Sequence, residues 1–190
     1  MWLLILGLVL FLGTHTFVSL RALREQAIAK LGAGPYRGLY ALIAILGLVL
    51  IVWGFARYRS EGLIPVWSPP PWTHYVTIVL MWFAWVSLLL SNKSPSRIRG
   101  WIKHPQLLAI KIWSLAHLIA NGDLGAIVLF GAFLIWAGYV RFSLKRRGGA
   151  SPPKLDHFAR GDAIGLILGT LLWVVVMFAH PYLFGPTVVY

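Results

Sequence analysis

At 190 residues, 59% hydrophobic and only 12% charged, with a strongly positive mean hydropathy, the chain excludes an ordinary soluble domain and has the composition of a polytopic membrane protein. The net charge of +12 would suggest nucleic acid in a soluble protein, but here the basic residues sit between apolar runs as topology signals, so no nucleic-acid partner is expected. Cysteine is absent, which excludes disulfides, thiolate metal sites and a cysteine nucleophile, and leaves six histidines as the soft ligands.

A bilayer core asks for roughly 20 apolar residues per spanning helix, so the chain has room for about six spans and no sizeable soluble domain. The fold class expected is all-α: a polytopic membrane helix bundle, a single integral membrane domain over residues 1–190. The first span covers about 1–20, with no basic region before it and no small-residue cleavage site before Arg21, the pattern of a retained helix rather than a cleaved signal. Helical spacing continues through LRALREQAIAKLGAGP until the glycines and Pro35 stop it. The second span runs over about 38–56, and the proline-rich connection after it places Trp67, Trp72, His74 and Tyr75 as interfacial anchors. A short third span at about 75–90 precedes a basic lead-in over 92–103. The fourth span, about 105–120, ends in the tight turn Asn121-Gly122-Asp123, which sends the chain back into a fifth at about 124–142. A loop of mixed charge containing KRRGGASPPK leads to the sixth, about 163–184, and GPTVVY closes the chain. Gly32-Ala33-Gly34 lacks the rest of any phosphate-binding fingerprint.

Charge orients the bundle. The first, third and fifth loops hold Arg21, Arg24, Lys30 and Arg37, then Lys93, Arg97, Arg99 and Lys103, then Arg141, Lys145, Arg146, Arg147, Lys154 and Arg160, whereas only Arg57 and Arg59 lie in the opposite loops. Both termini are therefore expected on the extracytoplasmic side.

Polar chemistry is concentrated in the fourth span. Helical spacing puts Gln106, Ile110, Trp113, His117 and Asn121 on one stripe and His104, Lys111 and Ser114 on another. Ionisable groups at membrane depth are costly and mark sites or bundle interiors. His74 and His157 read as boundary and surface residues, and His180, before Pro181, as a capping or interfacial one. His104 opens its span, where terminal hydrogen bonding competes with function. His15 and His117 lie within apolar spans with no acidic neighbour, which fits either a structural hydrogen bond or a neutral imidazole ligating iron. Trp113 is placed to wall a planar ligand, and Asn121 to hydrogen-bond the imidazole or that ligand. Asp123 reads as a turn residue, Lys111 as a lysine snorkelling to the loop side, and Arg97, Arg99 and Lys103 as topology determinants that also suit a carboxylate or propionate. By helix rise, His15 is roughly 8 Å from the loop end of its span and His117 roughly 20 Å from His104, so on depth alone His104 is the better-matched partner for His15.

His15 followed by SLRALRE, and the run IKHPQLLAIKIWSLAHLIANGD, resemble the NnrU family of bacterial membrane proteins over nearly the whole chain. The same HPQ, W and AH elements resemble the 15-cis-zeta-carotene isomerases, integral membrane proteins in which the redox state of haem b gates isomerisation of a carotenoid double bond. That resemblance implies haem b as cofactor, His15 and His117 as the metal ligands, a place in the bacterial inner membrane, and a hydrophobic partner such as a carotenoid or quinone beside membrane lipid. The bacterial family's name implies a link to denitrification. A further isomerase histidine, after the second span, has no counterpart, since Arg57-Tyr58-Arg59 stands there.

Two other classes stay open. Lys103-His104-Pro105 is similar to the element that precedes the cofactor span of isoprenylcysteine carboxyl methyltransferases, although the later acidic segment of those enzymes is matched only by LDHFARGD. A non-enzymatic assembly subunit of a respiratory complex would need no pocket at all.

Overall fold

The computed structural model describes residues 1–90, 93–148 and 152–185, so Ser91 and Asn92, residues 149–151 of the fifth loop and the closing residues from Pro186 lie outside the described residues. The described residues form eight helices and no strand: α1 (Trp2–Ser19), α2 (Arg21–Leu31), α3 (Ala33–Ser60), α4 (Thr73–Leu89), α5 (Arg97–Ile102), α6 (Pro105–Ala120), α7 (Leu124–Arg146) and α8 (Arg160–Phe184). α1, α3, α7 and α8 are long and apolar enough to cross a membrane. α4 and α6, at 17 and 16 residues, are apolar but shorter, about 25 Å of helix each. Several leucines, valines and tryptophans along these helices, among them Trp2, Val9, Leu42, Val52 and Trp53, are exposed over more than half of their surface, as a lipid-facing exterior requires.

Two expected boundaries move for a physical reason. Pro35 does not end the second helical run; it sits in the first turn of α3, where a missing N–H breaks no helical bond, and the break falls at Gly32, whose φ of 82° few other residues adopt. α1 does not run on past Arg21: the chain leaves helical geometry at Leu20 (φ −89°, ψ 80°) and restarts as α2.

The chain divides into two compact units, the first comprising Met1–Trp67 with Gly122–Trp136 and the second Ser68–Asn121 with Ala137–Tyr190. The first is built on a glycine-mediated pairing of α1 with α3. A Cβ on Gly7 would lie 2.6 Å from the Ile51 nitrogen, one on Gly47 would lie 2.7 Å from that of Phe11, and one on Gly54 would collide with the Leu4 backbone. Where lipid removes most of the hydrophobic drive between helices, such close backbone approach is the main source of helix–helix attraction. Leu3, Leu4, Leu8, Ile51 and Tyr58 are buried along this seam. Tyr58 also packs against Gly125 of α7 and accepts a hydrogen bond from the Ile64 N–H at 2.9 Å. An isolated bridge pairs Pro65 with Asp123, and the Val66 and Trp67 amides both donate to the Gly122 carbonyl. The connection after α3 and the turn after α6 therefore share one end of this unit, the arrangement expected of the second and fourth loops.

In the second unit α4 packs on both α6 and α8. Gly165 and Gly169 of α8 let that helix approach Leu90 and the Val86 backbone. Side-chain bonds add register: Thr77 Oγ1 donates to the Ala116 carbonyl at 2.9 Å, Trp82 Nε1 to Thr170 Oγ1 at 2.9 Å, and Trp173 Nε1 to the Ile78 carbonyl at 3.1 Å.

Candidate functional site

His15 stands on the α1 stripe that carries Gly7 and Phe11, one turn before the helix ends. Its Nδ1 lies 2.8 Å from the Phe11 carbonyl oxygen. A carbonyl only accepts, so Nδ1 carries the hydrogen in this bond. Aromatic rings surround it: Phe11 with centroids 4.3 Å apart, Tyr40 at 5.7 Å and Trp136 edge-on at 6.1 Å. Thr16 anchors that last ring, accepting from Trp136 Nε1 at 3.0 Å while its own hydroxyl donates to the Leu12 carbonyl.

His117 repeats the arrangement in the second unit. Its Nδ1 lies 2.8 Å from the Trp113 carbonyl oxygen, so Nδ1 again carries the hydrogen. The Trp113 ring lies beside the imidazole, centroids 5.5 Å apart. Asn121 reaches the same residue at a different atom from the one expected: its Nδ2 donates 2.8 Å to the His117 carbonyl, closing the end of α6 rather than orienting the ring. Both histidines thus satisfy one requirement of an axial iron ligand, a ring whose far nitrogen is held by a backbone carbonyl.

His104 does not cap α6 with its side chain. It lies instead between two adjoining clefts at the α5–α6 corner. The larger, about 420 Å³, takes its polar wall from Arg99, Lys103, His104 and Gln106 and its apolar wall from Leu107, Val140 and Leu144. The smaller, about 130 Å³, shares His104 and Leu107 and adds Lys111 and Arg141. Lys111 therefore does point toward the loop end. Among the described residues no acid lines either cleft. Burial, then the cations Arg141 and Lys103, hold the His104 imidazole below its usual pKa.

Asp123, His157 and His180 make local contacts. Asp123 Oδ1 accepts from the Ala126 N–H at 2.9 Å and caps α7. His157 pairs with the exposed Asp156 at 2.7 Å, and the His180 ring lies 5.0 Å from that of Phe184 in the last turn of α8. Among the described residues no group of three or more His, Asp or Glu side chains converges to hold a metal ion; haem, which takes only axial ligands from protein, does not require one.

One cluster had little signal in the sequence. Asp162 is fully buried and accepts from Ser96 Oγ at 2.6 Å and from the amides of Arg97, Ile98 and Ala159 at 2.9, 3.0 and 2.8 Å. One carboxylate thus ties the start of α5 to the start of α8. The Ser96 hydroxyl also accepts from the Arg99 amide, and the Gly161 amide donates to the Pro95 carbonyl. An acid in the first turn of an apolar helix is a capping signal, but nothing in the spacing announces a partner more than sixty residues away.

No curated protein and no solved structure matches the chain. A family model described as NnrU protein matches residues 3–188, nearly all of it.

Proposed function

The chain belongs to the NnrU family, and from that premise we infer that it is a multi-pass protein of the bacterial cytoplasmic membrane that binds haem b, with His117 as the ligand on which the site depends. The observation that carries this reading is the bond His117 and His15 share, each with Nδ1 committed to the carbonyl one turn back. Both lie in apolar helices, where a charged imidazole is disfavoured and a neutral one is the form that ligates iron. When bound, haem b supplies one-electron redox chemistry. The chain's own contribution is to hold each imidazole by its Nδ1, beside the Trp113 ring at His117, and beside the rings of Phe11, Tyr40 and Trp136 at His15. α1 stops at Ser19, so His15 stays about one turn from the end of its helix. Apolar surroundings suit a hydrophobic substrate such as a polyene, or electron exchange with a quinone, better than a charged metabolite; a denitrification role would act through the same redox centre. Among the described residues the cleft at Lys103-His104-Pro105 is lined by cations and no carboxylate, so it suits an anionic group better than a sulfonium.

Visible absorption of detergent-purified protein is the test. A Soret band is expected that His117→Ala abolishes, His15→Ala weakens or shifts, and His157→Ala leaves alone. Protein that stays colourless after expression with a haem precursor would sink the cofactor. A band that survives His117→Ala and is lost in His104→Ala would move the ligand to His104. Reporter fusions at Ser60 and Gly149 test the topology, and the opposite sidedness at those two sites would overturn it.

A further inference from the structure

The two clefts around His104 are lined by Arg99, Lys103, Lys111 and Arg141, with apolar Leu107 between them and Val140 and Leu144 behind. Topology asks only that cations lie in the loops. It does not ask that residues from α5, α6 and α7 converge on one concavity, nor that its walls, among the described residues, lack every acid. The backbone makes the same point: among the described residues Lys103 alone of the non-glycines has a positive φ, 65° with ψ −45°. A side chain held at such an angle is strained and persists where its surroundings dictate it, often at a binding site. That turn is what joins α5 to α6 and sets Lys103 and His104 on the cleft wall. The membrane boundary runs past the same place, since Trp101 of α5 is 63% exposed with the Arg97 guanidinium stacked 5.0 Å over its ring, a residue type and setting found where headgroups meet water.

We propose that the larger cleft at the α5–α6 corner binds the phosphate headgroup of an anionic bilayer lipid, with Arg99 and Lys103 holding the phosphate, Arg141 reaching it from the adjoining smaller cleft across His104, and Leu107, Val140 and Leu144 receiving the first methylenes of the tail. Phosphate is favoured over a single carboxylate because cations approach it from α5, from the turn after it and from α7, and the guanidinium of Arg99 or Arg141 offers paired donors that fit its oxygens. A volume of about 420 Å³ accommodates a headgroup with its glycerol and sits at the small end of ligand sites. The tail needs no cavity of its own, because the exposed apolar helix surface beyond Val140 is already lipid-facing. Free inorganic phosphate has the same headgroup chemistry and lacks the tail, which separates the two sources by experiment.

The full-length protein, delipidated in a neutral detergent, is titrated with short-chain phosphatidylglycerol, short-chain phosphatidylcholine and inorganic phosphate, with tryptophan fluorescence and native mass spectrometry as readouts. Phosphatidylglycerol is expected to bind, with affinity falling as salt rises, and at least tenfold more tightly than phosphatidylcholine. Lys103→Gln and Arg141→Gln should each weaken it about fivefold, the effect of one basic residue at a membrane surface. Lys145→Gln, which removes the same charge from an exposed position outside the clefts, should leave affinity unchanged. Equal binding of the two lipids, or equal loss in Lys145→Gln and Arg141→Gln, overturns the proposal. Inorganic phosphate binding as tightly as phosphatidylglycerol overturns the lipid as occupant. Should Lys103→Gln fail to purify because its strained turn rearranges, Arg141→Gln carries the same comparison from α7, away from that turn.

Discussion

Replacing Asp162 tests whether one buried carboxylate organises the loop end of the second unit. Four donors converge on it, and the carboxylate itself is fully buried, so no water replaces them at its oxygens. In Asp162→Asn the remaining carbonyl oxygen can keep the two donors now on Oδ1, Ser96 Oγ and the Ile98 amide, but an NH2 then faces the amides of Arg97 and Ala159. Two orphaned N–H groups at roughly 1–3 kcal/mol each put the loss at about 4 kcal/mol. Asp162→Ala orphans all four donors and should cost more, while Ser96→Ala removes one hydroxyl and should cost about 1–2 kcal/mol. For a chain of this size roughly 2–4 °C of melting temperature accompanies each kcal/mol, so Asp162→Asn should melt about 8–16 °C below the parent in the same detergent. The loss should be largest in Asp162→Ala, smaller in Asp162→Asn and smallest in Ser96→Ala. Melting of Asp162→Asn within about 2 °C of the parent would refute the reasoning, since it would mean that the start of α5 is held without this carboxylate. The α5 orientation also sets Arg99 and Lys103, so the same variants should lose lipid affinity while any Soret band stays in place.

Adding a side chain to the α1–α3 seam should separate those helices. Gly54→Val, which collides with the Leu4 backbone, should prevent accumulation of folded protein, whereas Gly13→Ala, open on all sides, should be neutral; equal yields on gel filtration would count against the seam. His104 faces Arg99 from α5, Lys103 from the turn after it, Lys111 along α6 and Arg141 from α7, and its pKa is lowered from 6.5 by burial and then by Arg141 and Lys103. The unfolded chain therefore takes up this proton first as pH falls, so the contribution is fully present above 6.5 and is lost progressively as pH drops toward the folded value. Arg141→Gln should raise the His104 pKa toward 6.5, and an imidazole titration by NMR that does not move in this variant would remove Arg141 from the cleft.

The features legible in the sequence are those set by neighbours along the chain. α6 begins at Pro105 and ends at Ala120, as expected, because a proline fits the first helical position and Asn121-Gly122-Asp123 punctuates the other end. The bonds of His15 and His117 to carbonyls four residues back are local in the same sense, and an imidazole in an apolar helix has few other acceptors to choose from. Pro35 misled because its effect depends on its distance from a helix start that Gly32 sets, and a proline three residues later would have broken the helix it now opens. α5 is six residues long, too short for any hydrophobic period to show.

What the sequence left hidden is contact between distant segments. The Trp136 ring against His15, Ser96 against Asp162 and the meeting of Arg99 with Leu144 join residues 45 to 121 positions apart, and no spacing rule reaches that far. Each of these contacts nevertheless carries a chemical demand that a lone residue does not. A carboxylate buried in a membrane protein must find donors, and Asp162 finds them at the start of a second helix. By the same logic, Lys103, Lys111 and Arg141, gathered around one histidine, raise a positive potential that draws an anion. Among the described residues the protein supplies no such group on the cleft walls, and at the edge of a bilayer the phosphates that can supply one are the most abundant anions within reach.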